Sequence, residues 1–275
     1  MLNRFVPLFL LAMLGASASQ AAAQDHQCGV NPARILQIAY PEGTKGTDQT
    51  FLAEGGSIRL PSATSADYTS DMMVCRIWPA HPHNRLVAVP IIYAQSPDGR
   101  DGDIDLLVLD SRTDAIVARN RFADLASDDA IRIHSVAFDT AYYALAPDRV
   151  AFGLRVIEAG SSQANPFGLT TLWLFELEGG KLTTIVDRLI VAASGGEWDT
   201  DCVGTFHATT RTLAMAPRTG AAIADIVVSS RSETSTAHQR DGTCTQTVTH
   251  TAPDPVRLVF EGGNYSLPDR LTRQW

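Results

Sequence analysis

The chemistry this sequence could perform starts with its carboxylates. Asp98-Gly99-Arg100-Asp101-Gly102-Asp103-Ile104-Asp105-Leu106 places Asp101, Asp103 and Asp105 at alternate positions in a glycine-containing stretch. Oxygen ligands converging from one loop suit Ca²⁺, which takes about six to eight of them. The competing reading is a plain turn, where Asp and Gly are frequent because they tolerate turn backbone and stay solvated. Further on, Glu197, Asp199 and Asp201 surround Trp198 and precede Cys202. Two carboxyls beside an aromatic are the equipment of glycoside hydrolysis, one as acid and one as nucleophile or base. The same four residues, Glu197, Trp198, Asp199 and Asp201, read equally as a ligand-contact loop or as a solvated loop held by a disulfide. His81-Pro82-His83 offers two imidazoles to zinc or copper, but no third ligand stands at a metal-site spacing. There is no G-x-S-x-G elbow, no P-loop and no dinucleotide glycine pattern. No catalytic residue is nominated.

The Asp101-Gly102-x-x-Asp105-Leu106 portion resembles the second half of an FG-GAP-type calcium loop. That resemblance implies a bound Ca²⁺; the residues by themselves call for no cofactor. Pro97 and Gly99 depart from it, standing where acidic or amide ligands belong. An EF-hand is excluded, because Leu106 occupies the position that requires glycine.

The elements that must position these groups are strands. Val150, Phe152, Leu154 and Val156 alternate with Ala151, Gly153 and Arg155, the period of a strand with one buried face. Trp173, Phe175 and Leu177 repeat the pattern, which puts Trp173 in the core. Arg85–Tyr93 and Ile104–Leu109 are more continuously apolar, as in strands covered on both faces. Helical periodicity is nearly absent; one helical turn is expected within Phe122–Asp129. Thr44–Ser57 and Ser161–Gly168 read as loops. Glu178-Gly179-Gly180-Lys181 and Glu261-Gly262-Gly263-Asn264 read as hairpin turns, with glycines supplying positive φ. With a looser copy at 107–122, they suggest a weak repeat of four antiparallel strands over about 73–122, 131–190 and 203–271. The expected fold is all-β, with repeated four-stranded antiparallel sheets in a propeller-like arrangement. The alternative is a β-sandwich.

Residues 1–23 carry a charged start at Arg4, an apolar run from Phe5 to Leu14 and a small-residue end at Ala21-Ala22-Ala23. This is the pattern of a cleavable export signal, too short to span a membrane. It leaves residues 24–275 as a single β-rich domain with no transmembrane segment. The chain is acidic, with formal charge −8, and losing Arg4 makes the balance more negative. Nucleic acid is therefore an unsuitable partner, since it demands clustered Lys and Arg. The four cysteines, Cys28, Cys75, Cys202 and Cys244, contain no C-x-x-C pair. An even number in an exported chain points to two disulfides. Of three connectivities, the short-range one, Cys28–Cys75 with Cys202–Cys244, is expected.

Ala146-Pro147-Asp148-Arg149-Val150-Ala151-Phe152 resembles the turn in exported propeller blades of the TolB type. Ser161-Ser162-Gln163-Ala164-Asn165-Pro166-Phe167-Gly168 and Gly196-Glu197-Trp198-Asp199 resemble uncharacterised exported proteins of Gram-negative bacteria. That resemblance implies an extracytoplasmic place, periplasmic or secreted, and brings no activity. The expected function is a non-enzymatic binding or interaction protein, its partner an envelope protein or a glycan, contacted by loops at 94–105, 159–168 and 194–202. The alternatives are an extracytoplasmic hydrolase with a carboxylate site and a cation-stabilised structural protein.

Overall fold

The computed structural model describes residues 28–29, 31–61, 70–217 and 222–273. The expected signal segment, His26 and Trp275 lie outside the described residues. The fold is all-β and antiparallel. One seven-stranded sheet contains β1 (Thr44–Lys45), β2 (Thr50–Ala53), β3 (Gly56–Arg59), β4 (Val74–Ile77), β5 (Asn84–Gln95), β6 (Arg100–Asp110) and β7 (Ile116–Phe122). An eight-stranded sheet contains β8 (Ile131–Ala146), β9 (Arg149–Gly160), β10 (Phe167–Glu178), β11 (Lys181–Trp198), β12 (Gly204–Met215), β13 (Ile226–Arg240), β14 (Thr243–Thr251) and β15 (Val256–Leu258). A two-stranded hairpin, β16 (Phe260–Glu261) and β17 (Asn264–Tyr265), and a short helix, α2 (Asp269–Thr272), follow.

The expected four-strand units do not form separate sheets. β1–β3 join β4–β7, and β12–β15 continue the sheet begun by β8–β11. β11 causes the continuation: its first half pairs with β10 and its second half also pairs with β12, from Ala192↔Thr210 to Trp198↔Gly204. The segment read as a loop at 44–57 contains β1–β3. A two-residue turn there puts Glu54 and Gly55 at positive φ and pairs Ala53 with Gly56. The glycine pairs at 179–180 and 262–263 both take positive φ and close hairpins, as their sequence requires. Residues 123–126 form a turn rather than a helix.

The faces of the two sheets share one buried cluster. Trp78, Leu86, Ile104 and Leu106 come from the first sheet and its border, and Phe138, Phe152, Leu154, Trp173 and Phe175 from the second. Phe152 sits edge-on to Trp78 at 4.9 Å and beside Phe175 at 5.6 Å. Strand alternation sends Val87, Val89, Ile91, Leu107 and Leu109 to the other face of the first sheet. A helix covers them there, so the continuous apolar runs are buried on both sides. That helix, α1 (Pro32–Ala39), was not legible as a period. Asn31 caps its Arg34 amide, Pro32 starts it, and Ile35, Leu36 and Ala39 face the sheet. The Cys28–Cys75 disulfide ties the chain before α1 to β4. On the second sheet, Leu172, Leu174, Ile185, Leu189, Ile226 and Val228 form a third cluster, closed by Tyr265 and Leu271.

Beyond this third cluster the second sheet continues as an arm without a core. No residue of 203–212 or 229–255 belongs to a buried apolar cluster. β14 is exposed along almost its whole length. The second disulfide, Cys202–Cys244, clamps the far end of the arm. Both disulfides have the expected short-range connectivity.

Candidate functional site

The outer half of the arm carries a groove close to the Cys202–Cys244 disulfide, formed by β11, β12 and the 161–166 turn. The last residues of β11 are Ser194-Gly195-Gly196-Glu197-Trp198. Gly196 pairs with Phe206, and Trp198 pairs with Gly204. A Cβ on Gly204 would stand 2.2 Å from the Trp198 Cβ, so only glycine lets the two strands close here. The Trp198 ring lies 6.0 Å from Phe206, and its indole N–H donates to the Gln163 carbonyl. Its backbone N–H donates to the Ala164 carbonyl at 3.0 Å. These bonds fold the 161–166 turn over the arm beside the 199–203 turn.

The result is an open groove of about 500 Å³ lined by Asn165, Pro166, Phe167, Gly195, Glu197, Thr205 and His207 among others. An adjoining recess of about 210 Å³ adds Phe206, Glu233 and Ser235. His207 Nδ1 lies 3.2 Å from the Thr234 hydroxyl. The groove combines an aromatic, a carboxylate, an imidazole and hydroxyls along exposed backbone. That composition can hydrogen-bond and stack on a polar ligand.

The four sequence-predicted binding residues divide here. Glu197 lines the groove, and Trp198 supports it from the strand rather than from a loop. Asp199 serves the backbone: its carboxylate accepts from the amides of Asp201, Cys202 and Val203 at 2.8–3.0 Å. Those amide bonds hold its carboxyl below the usual carboxylate range, that of Asp201 foremost. Asp199 thereby shapes the turn that delivers Cys202 to Cys244. Asp201 lies exposed on that turn. The expected contact loops are shorter than drawn, because the flanking strands run further: the turns proper are 96–99, 161–166 and 199–203.

Asp101, Asp103 and Asp105 lie on β6 rather than in a loop, sharing one face at alternate positions. Asp103 accepts from the Tyr93 hydroxyl at 2.8 Å and the Asp124 amide at 3.0 Å. Asp105 is fully buried. It accepts from the Tyr40 hydroxyl at 2.7 Å and from Arg121 at 3.1 Å, and is forked by Arg119. Burial raises the Tyr40 hydroxyl pKa, and the Asp105 charge raises it further. Two guanidiniums therefore neutralise the carboxylate that the calcium reading needs most. Among the described residues, no group of three His, Cys, Asp or Glu side chains is placed to hold a metal. His81 instead packs edge-on to buried Trp78 at 4.4 Å.

A second cavity was not foreseen. It holds about 330 Å³ and is lined by Ile133, Val156, Leu169 and Trp173 with Glu158 and Arg188. Arg188 sits in left-handed backbone, φ 59°, on a bulge opposite Trp173, whose indole N–H donates to Asp187 at 2.8 Å. Burial raises the Glu158 pKa and Asp128 adds to the rise, while Arg188 opposes it. The sequence signal was the pair Asp187-Arg188, two consecutive charges breaking an apolar strand.

No family model, no curated protein and no solved structure matches this chain. Among the described residues, no helix is long and apolar enough to cross a membrane.

Proposed function

We propose that the protein is an exported, non-enzymatic interaction protein of the periplasm or extracellular space, binding an envelope protein or glycan in the groove on its arm. The observation that carries this reading is the arm itself. It is a three-stranded extension that adds nothing to any apolar cluster and is clamped by its own disulfide. Ordered backbone without a core has a use as a presented surface. Two disulfides support an oxidising compartment outside the cytosol. The engagement of Asp199 by three backbone amides, while Glu197 faces the groove, favours binding over a hydrolase that would use those two carboxylates.

For the architecture, we read the two sheets as a β-sandwich bearing an extension. The shared cluster around Trp78 and Phe152 supports this over a propeller arrangement.

The test compares the oxidised mature chain with a Phe167→Ala/His207→Ala variant on glycan arrays and in envelope extracts of the host. Capture that disappears in the variant, with its melting unchanged, supports the reading. Equal capture by both proteins removes the groove from the account.

A further inference from the structure

The geometry points to β14 as a self-association edge: two copies of this chain join antiparallel through Thr243–Thr251, centred on Thr247. β14 is the terminal strand of the eight-stranded sheet and pairs only with β13. Its nine-residue ladder with β13 is continuous, without a bulge. The outer edge carries none of the usual protections: no lysine, no proline and no register break.

The turn before β14 sets which groups face outward. Arg240 pairs with Thr243 across Asp241 and Gly242, both at positive φ, which is a two-residue hairpin. Such a turn makes the Arg240–Thr243 pair the hydrogen-bonded one, and the bonding direction then alternates. Thr243, Thr245, Thr247, Thr249 and Thr251 therefore bond to β13. Cys244, Gln246, Val248 and His250 turn their N–H and C=O groups to the open edge.

A second copy matches this edge better than an unrelated strand does. The strand reads Thr-Cys-Thr-Gln-Thr-Val-Thr-His-Thr, with threonine at the same positions in either direction. Antiparallel pairing about Thr247 sets Gln246 against Val248 of the second copy and Cys244 against its His250. Roughly eight backbone bonds result. Every threonine then meets a threonine across the seam, repeating the Thr234↔Thr249 and Thr236↔Thr247 pairs that already join β13 to β14. β14 holds no Asp, Glu, Lys or Arg, so two copies of a chain with formal charge −8 meet at an uncharged strand. A two-fold, isologous contact of this kind closes on itself and stops at a dimer.

The experiment is sedimentation of the oxidised mature chain up to about 0.1 mM. A dimer is expected. Val248→Pro removes an outward N–H and leaves the bonds to β13 in place, and Val248→Lys places a charge on the edge; either is expected to yield monomer that melts like wild type at concentrations where wild type is itself monomeric. Thr247→Cys places two thiols in a non-bonded pair with Cα atoms about 4.5 Å apart, inside disulfide reach. Mild oxidation should cross-link that variant and leave Thr251→Cys uncross-linked. A monomer at all concentrations overturns the proposal. So does a dimer indifferent to both Val248 substitutions, or cross-linking at position 251 in place of 247.

Discussion

Removing the Asp105 carboxylate tests how the acidic stretch of β6 is used. Asp105 is fully buried, whereas Arg119 and Arg121 keep side-chain exposures of 33% and 29%. In Asp105→Ala the two guanidiniums can turn toward water, so the usual penalty of about 3–5 kcal/mol for breaking a buried pair falls to about 2 kcal/mol. The Tyr40 hydroxyl cannot follow them, because its residue is 3% exposed, and a stranded buried donor costs about 1–3 kcal/mol. Together the loss is about 3–5 kcal/mol. At roughly 2–4 °C per kcal/mol for a domain of this size, the melting temperature falls by roughly 10 °C. Asp105→Asn keeps an acceptor for Tyr40 and loses about half as much. The assay is urea and thermal unfolding of both variants, each in calcium and in chelator. Calcium is expected to shift none of the melting curves, the wild type included. A loss below about 1 kcal/mol for Asp105→Ala would refute the network argument. A calcium-dependent wild-type melt that Asp105→Asn abolishes would restore the metal reading.

Three further outcomes are expected. The double substitution Cys202→Ala/Cys244→Ala releases a loop constraint spanning 42 residues, worth about 4 kcal/mol in the chain-entropy model. Because the arm has no core, amide exchange should accelerate in 204–212 and 229–251 well before the inter-sheet cluster opens. Gly204→Ala forces a contact with Trp198 and the Glu197 carbonyl, costs about 1–3 kcal/mol, and should red-shift Trp198 emission as the ring leaves the Gln163 carbonyl. Glu158 has a raised folded pKa, so the folded state holds its proton more tightly than the unfolded chain. Its ionisation erodes stability as pH rises above about 4. Glu158→Gln should therefore melt higher than wild type at neutral pH, with the gap closing in acid; the opposite ordering would contradict the burial argument.

Strand content and hairpin turns were legible because they rest on local rules. The alternation of Val150, Phe152, Leu154 and Val156 needs only the two-residue period, and Gly179-Gly180 needs only positive φ. The short-range cysteine pairing also came through. Three things did not. Helix α1 was missed because an eight-residue helix offers barely two turns of period; its Asn31-Pro32 start was the available signal. The fate of Asp105 was invisible because its partners Tyr40, Arg119 and Arg121 come from α1's end and from β7. The groove was half visible: Glu197 and Trp198 were singled out and 159–168 was expected to form contacts, but Thr205 and His207 join them only through cross-strand register. Sequence spacing alone carries no such register.

β11 runs unbroken from Leu182 in the shared core to Trp198 beside the groove, with no loop or linker between. One wall of the groove is therefore continuous with the core and is set when the core folds. The facing wall, from β12 and β13, rests on the coreless arm and on the Cys202–Cys244 clamp. On the reading proposed above, a ligand meets one preorganised wall and must order the other, so its affinity depends on how little entropy the second wall has left to lose. Reduction of a single disulfide would then weaken recognition without altering any residue of the groove.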